Sequence, residues 1–322
     1  MARAGPFPSD ARVVAAPSSA EPRPMTPVSA ASPPPLGGLS LLALEPMLRS
    51  WLLEDLGRGD LSAPALQGRS ARASWQAKQA GVFCGGVLVE PLFRLLDPGV
   101  VVQLQVADGE RVHPGQRLLE LEGSATALVA GERTALNLAM RLSGIATATA
   151  ALVAELSGSG VALADTRKTT PGLRLLEKYA VRCGGGRNHR LGLDDAAMLK
   201  ENHLAWAGGV GPAVAAVRAE APWPCRLIVE AETAAEAAAA VRAGADGVLL
   251  DEFSPADLAA LVPRLRQLAA ERGAPVVLEA SGISPEVLRA YAGTGIDLIS
   301  TSAPVTRSPW LDLSMRFAPV LA

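Results

Sequence analysis

Residues 226–251 read RLIVEAETAAEAAAAVRAGADGVLLD: an apolar run ending near a carboxylate, an alanine-rich stretch of helical composition, then a second apolar run ending in a carboxylate. Two β-rich runs joined by a helix form a βαβ unit, whose strands lie parallel because the crossover returns the chain to its starting edge. The rhythm extends both ways. VALAD (161–165) and AAMLK (196–200) come before, PVVLEAS (275–281) and DLISTS (297–302) after, mostly separated by helical stretches such as SPADLAALVPRLRQLAA (254–270). Such alternation specifies a parallel sheet, either open and doubly wound or rolled into a barrel. The polar groups at the run ends decide between them: Asp165 with Arg167 and Lys168, then Lys200, Glu230, Asp251, Glu279 with Ser281, and Ser300 with Ser302. In a barrel the C-terminal strand ends converge on one mouth, whereas an open sheet gathers residues only near its switch point. The strand-bearing part, 161–302, is short beside the roughly 250 residues of a complete eight-stranded barrel. A reduced, six- to seven-stranded β/α barrel, incompletely closed, is the expectation.

Upstream the pattern differs. LLALEPMLRSWLLEDL (41–56) has helical spacing, ARASWQAKQAGVF (71–83), VVQLQVADG (101–109) and RLLELEG (117–123) alternate like strands, and VLVEPLFRLLD (87–97) reads as a helix between the first two. This predicts an N-terminal α+β sandwich domain over 41–156, ending in a long helix from about Ala127 to Leu156. The barrel then occupies 157–305, and 306–322 is expected to pack back on the N-terminal domain. The turn DGERVHPGQ (108–116) resembles the hairpin of biotinyl and lipoyl carriers but lacks the lysine at its tip, so only its hairpin is retained. Residues 1–40 are rich in Pro, Ala and Ser, which cannot bury enough surface to offset ordering entropy. A disordered tail, or a start at Met25, is expected there.

The totals bound the function. A net charge of -2 with 49% hydrophobic residues argues against a nucleic-acid or acidic-membrane surface, which calls for a basic excess. Cys84, Cys183 and Cys225 form no CxxC pair, which fits a reducing cytoplasm rather than disulfides or zinc. No apolar run is expected to reach the roughly 18 residues of a membrane span.

The proposed mouth holds Arg167, Lys168, His189, Arg190 and Lys200 beside the carboxylates Glu230 and Asp251. Cations for anionic groups and carboxylates for a hard cation suit a phosphorylated substrate with Mg²⁺. In DTRKTTPGL (165–173), Arg beside Lys directly after a strand reads as an anion-binding loop. Gly184, Gly185 and Gly186 read as a flexible approach that turns His189 and Arg190 into the mouth.

Several long motifs in order resemble the quinolinate phosphoribosyltransferase family: EDLGRGDLS (54–62), GERTALNLAMRLSGIAT (131–147), DTRKTTPGLRLLEKYAV (165–181), CGGGRNHRLGLDDAAMLKENH (183–203), VEAET (229–233), LLDEFSP (249–255) and LEASG (278–282). The resemblance runs from about Leu41 to Phe317. It implies transfer of phosphoribose from 5-phosphoribosyl 1-diphosphate (PRPP) to quinolinate with loss of CO₂. It implies Mg²⁺ but no organic cofactor, a cytoplasmic homodimer, and neither nucleic-acid nor membrane partners. Thr166, Arg167, Lys168, His189, Arg190 and Lys200 would form the substrate cradle, with Lys168 and Lys200 catalytic. Arg133 would reach the neighbouring subunit's site, Glu230 and Asp251 would serve ribose, metal and catalysis, and Ser281, Gly282 and Ser302 would line the phosphate end. Two departures stand out: Ile283 replaces the second glycine of the family's ASGG turn, and STSAPVTRS (300–308) puts Ser302 in place of a glycine and Arg307 near a usual histidine. Competing readings are a nicotinate-type or molybdenum-associated (ModD-type) relative acting on another anion, a Schiff-base aldolase using Lys168 or Lys200, and a non-catalytic nucleotide-binding protein.

Overall fold

The unit at 226–251 folds as β8 (Arg226–Ala231), α7 (Ala234–Ala243) and β9 (Gly247–Asp251), with the two strands parallel and Glu230 beside Leu249. Local chemistry starts the helix: the Thr233 hydroxyl accepts the Glu236 N–H while the Glu236 carboxylate accepts the Thr233 N–H. Alanines at 237, 238 and 240 then let α7 sit close on the sheet. The computed structural model describes residues 39–319; the tail expected over 1–40 lies, up to residue 38, outside the described residues.

Four more strands extend the unit. β6 (Ala162–Ala164), β7 (Ala196–Leu199), β10 (Val277–Ser281) and β11 (Leu298–Ser300) complete a six-stranded parallel sheet in the order β6-β11-β10-β9-β8-β7. Helices α4 (Arg174–Cys183), α5 (Glu201–Ala207), α6 (Val210–Glu220), α8 (Pro255–Arg272), α9 (Leu288–Tyr291) and α10 (Ala303–Thr306) connect the strands or follow the last of them. The expected barrel is thus present in its reduced, incompletely closed form. No ladder joins β6 to β7 among the described residues; a single bridge from Ala164 to Arg187 extends the sheet past β6. Val229, Val248, Leu250, Leu278 and Ala280 pack into one apolar cluster with the helices. The alternate residues Glu230, Leu249, Asp251, Glu279 and Ser281 therefore face the other way, into the barrel and its mouth.

The N-terminal part begins with α1 (Leu41–Leu56), which buries Leu44, Leu48 and Leu52. Strands β1 (Ser70–Ala77), β3 (Val101–Leu104) and β5 (Arg117–Ser124) join β12 (Leu313–Pro319) in an antiparallel sheet ordered β12-β1-β5-β3. Helix α2 (Gly86–Arg94) and α3 (Ala125–Glu155) pack on it around Trp75, Phe83, Phe93 and Leu119, all fully buried. The run at 71–83 breaks after Ala77: Lys78 donates its N–H to Asp312 O, and Gly81–Val82 form a separate β2 paired with β4 (Arg111–Val112). The hairpin of β3 and β5 carries β4 near its tip.

Helix α3 corrects one expectation, since it is long and apolar enough, by length and composition, to cross a membrane. It is a core helix here, with Leu128, Leu136, Leu142 and Ile145 buried against the N-terminal sheet and α4. The fold also brings together two cysteines remote in sequence: Cys84, Cys183 and Asp108 place one donor atom each within 4.8 Å of one another. The carboxylate there is already committed. Asp108 accepts N–H groups from Gly85 at 3.1 Å and Gly86 at 2.8 Å and the Tyr179 hydroxyl at 2.8 Å, which locks the start of α2 to α4.

Candidate active site

Two tiers of side chains rise towards the mouth. The lower holds Glu230 and Glu279, both register partners of Leu249; the upper holds Asp251 opposite Ser281. Lys200, one residue past β7, donates to Glu230 Oε2 at 2.6 Å, with the lysine side chain 44% and the glutamate 11% exposed. The ammonium is thus held at the mouth rather than buried. Asp251 is half-buried with no side-chain partner among the described residues, and it borders a cavity of about 690 Å³ between the starts of α7 and α8, lined also by Glu232, Thr233, Glu252, Asp257 and Arg264 and by none of the cationic loop residues.

The cationic groups come from two loops fastened together. Thr166 Oγ1 accepts the Lys168 N–H at 3.0 Å and turns the first loop, leaving Arg167 half-buried and Lys168 exposed. Asp195 accepts the N–H groups of Leu191 and Gly192 and orders the second. Arg174 bridges both, from Thr169 Oγ1 at 3.0 Å to Leu191 O at 3.1 Å. Arg190 anchors one guanidinium nitrogen on Ala196 O at 3.0 Å. Partial burial and the neighbouring Arg167 guanidinium both push the Arg190 guanidinium below its usual pKa. Two like charges brought together make a site that anions stabilise.

Sequence reasoning missed the groups that hold these loops. Glu177 and Lys178, adjacent on α4, are 0% and 1% exposed. Glu177 accepts the Thr170 N–H and hydroxyl, each at 2.8 Å, and the Arg141 guanidinium at 2.8 Å; Arg141 also donates to Val305 O at 2.6 Å. Lys178 ion-pairs with Asp165 and donates to His189 O at 2.9 Å, while Asn188 adds a 2.6 Å bond to Asp165. Asp165, at a strand end, is consequently a buried anchor rather than a group open to substrate. The signal was present: two consecutive charges on the amphipathic pattern RLLEKYAV (174–181), a costly feature on a packed helix unless both are paired.

The glycine triplet is not a flexible approach. A Cβ on Gly184 would lie 2.4 Å from Ala146 O and 2.5 Å from Thr149 Cβ, so the end of α4 abuts α3 where no side chain fits. His189 is also differently placed from an open cradle member. Its Nδ1 accepts the Arg190 N–H at 2.8 Å and its Nε2 lies 3.1 Å from Glu279 Oε2. Gly282 takes a positive φ of 75°, and Glu252, the one non-glycine with positive φ among the described residues, packs directly against it: a Cβ on Gly282 would lie 3.0 Å from Glu252 Cγ. Ile283, where the family turn has glycine, is 8% exposed and anchors that turn in the core. Ser302 precedes α10, its backbone carbonyl accepting the Thr306 N–H at 2.8 Å, and Arg307 is exposed. Arg133 lies exposed on α3 with no side-chain partner among the described residues.

Comparison with known proteins follows the same geometry. Residues 60–143 match the model of the quinolinate phosphoribosyl transferase N-terminal domain and residues 145–316 that of its C-terminal domain. The chain is 43% identical over 279 residues to a probable nicotinate-nucleotide pyrophosphorylase [carboxylating] of Synechocystis sp., covering 85% of this chain and 92% of that one. With the human nicotinate-nucleotide pyrophosphorylase [carboxylating] it shares 38% over 285 residues, covering 87% and 94%. The crystal structure of NadC from Streptococcus pyogenes superposes with a TM-score of 0.79 at 38% identity, covering 88% of this chain and 99% of that one.

Proposed function

The chain belongs to the quinolinate phosphoribosyl transferase family, and from that premise we propose how its mouth divides the work of the reaction. The enzyme transfers phosphoribose from PRPP to quinolinate, with loss of CO₂, giving nicotinate mononucleotide and pyrophosphate for NAD biosynthesis. The observation that carries the division is the pairing of two fastened cationic loops, after β6 and before β7, with a free carboxylate at the end of β9 in the same sheet.

Arg167, Lys168 and Arg190 grip the two carboxylates of quinolinate and aim the ring nitrogen at the ribose, which lowers the barrier by holding both reactants in line. Glu230 and Asp251 face the ribose as its bond to pyrophosphate lengthens and positive charge grows on the sugar. Lys200, steadied by Glu230, lies near the departing oxygens and offsets their developing charge. Attack by the nitrogen leaves the ring cationic, so the electron pair left on the ring carbon when the adjacent carboxylate departs as CO₂ is stabilised by the neighbouring positive nitrogen, and that carbon then takes up a proton from water to give nicotinate mononucleotide. No organic cofactor is required for that step.

A divalent cation fits this donor set. Asp251 has a carboxylate unclaimed by other side chains among the described residues, whereas the near oxygen of Glu230 is taken by Lys200. Asp251, with substrate oxygens and water, would hold Mg²⁺, which when bound supplies charge neutralisation for pyrophosphate. Thr166, Ser281, Gly282 and Ser302 are assigned to the substrate rim. We assign Arg133 to the site of a second subunit, which its exposure and lack of a partner permit, so that a homodimer is the working unit. A cytoplasmic location is supported by three free thiols. The test is incubation with quinolinate, PRPP and Mg²⁺ while following CO₂ and nicotinate mononucleotide; both are expected, and formation of neither would sink the reading.

A further inference from the structure

Glu279 is 3% exposed inside the barrel, on the tier below Asp251, between Leu249 of one neighbouring strand and Leu298 of the other. Its Oε2 lies 3.1 Å from His189 Nε2, and its Oε1 is buried with no hydrogen-bond partner among the described residues. A carboxylate buried on one attachment contributes little to stability, because desolvation is offset only when the remaining lone pairs are also satisfied. A leucine like its neighbours would suit the tier better. The fold therefore gives no reason for the charge, and His189 does.

Every polar group of residue 189 is engaged. Its N–H donates to Asp165 Oδ1 at 2.8 Å, its carbonyl accepts from Lys178 Nζ at 2.9 Å, and its ring Nδ1 accepts the Arg190 N–H at 2.8 Å. An accepting Nδ1 carries no proton, so the partners assign the proton to Nε2, which donates it to Glu279. A ring released from Glu279 would be free to turn, and the Arg190 N–H would lose its acceptor. We propose that Glu279 is a positioning residue for the dicarboxylate grip: it pins the His189 imidazole and, through it, the peptide that carries Arg190. This rests on the reading that Arg190 holds quinolinate.

The chain has three histidines, so enzyme labelled with ¹⁵N-histidine gives a ring-nitrogen spectrum that His189→Asn assigns by the disappearance of one pair. In the unsubstituted enzyme His189 should show one pyrrole-type and one pyridine-type nitrogen. In Glu279→Leu the two should move towards a common averaged position as the tautomers exchange. The KM for quinolinate should rise about tenfold, the effect of one lost hydrogen bond to a charged group, while the KM for PRPP holds and the melting temperature stays within about 4 °C. Glu279→Ala carries the same expectation should leucine not fit. Unchanged ring nitrogens, or an unchanged KM for quinolinate, overturn the proposal in a folded variant. So does an equal loss in both KM values with a collapsed melting temperature. The spectrum needs no substrate, so an enzyme that formed no nicotinate mononucleotide would refute the functional reading, while the NMR would still decide separately whether Glu279 pins the His189 imidazole.

Discussion

Lys178 is a side chain that water should claim, yet it is 1% exposed with its ammonium shared between Asp165 and His189 O. Replacing one member of a buried pair leaves the other charge uncompensated, which costs about 3–5 kcal/mol. Lys178→Met is therefore expected to lower the free energy of unfolding by that amount in urea, with the slope unchanged. Arg190 is governed by the opposite economy: it stands at the mouth beside Arg167, and its charge awaits an anion. Arg190→Ala should cut kcat/KM for quinolinate by ~10²-fold, or about 3 kcal/mol, with little change in melting temperature. Arg167, Lys168 and Lys200 were legible in the sequence because each follows an apolar strand directly, and Arg190 because it stands in a cationic cluster after three glycines. Glu177, Lys178 and Arg174 were not, because each acts on partners supplied by other segments, and the sequence does not state which segments meet.

Helix α4 owes its position to Gly184, whose missing side chain makes room for Ala146 O on α3. Gly184→Ala should force the two helices apart, costing about 1–3 kcal/mol as overpacking does, and should weaken activity because Glu177 and Lys178 ride on α4. A melting curve beside a quinolinate titration checks both. Asp246, between α7 and β9, ties the sheet to α6. Burial by itself would raise its carboxyl, but the Leu227 N–H and the Arg218 and Arg226 guanidiniums outweigh that and hold it below the usual 3.8. Its contribution is thus complete above the unfolded carboxyl value and lost as pH falls through the folded one. Asp246→Asn should accordingly flatten the decline of stability on acidification below about pH 4, followed by urea unfolding at stepped pH. The strand and helix alternation behind these elements was readable from periodicity alone. The two-residue strands β2 and β4 were not, since they exist only by pairing with each other.

Helix α3, of 31 residues and about 46 Å at 1.5 Å per residue, runs from the N-terminal core to the barrel. Its exposed Arg133 belongs to neither core. If it completes a neighbour's site, mixing Arg133→Ala with Arg190→Ala protein should restore part of the activity through hybrid dimers. No rescue, with subunit exchange verified by mass spectrometry, would remove Arg133 from that role. The two kinds of sheet were legible because short alternating runs before the long helix give way to strand–helix alternation after it. The pairing of β12 with β1, from Ala71↔Pro319 to Ala77↔Leu313, closes the first sheet with the last strand. On the ribosome that order matters. Between Ala77 and Leu313 the whole barrel must be translated, which at 5–20 residues per second leaves the β1 edge without its β12 partner for on the order of 10–50 s. The part of the molecule that emerges first is the last to be finished, and a nascent chain of this protein depends on its own barrel, or on a chaperone, to shield that edge until β12 emerges.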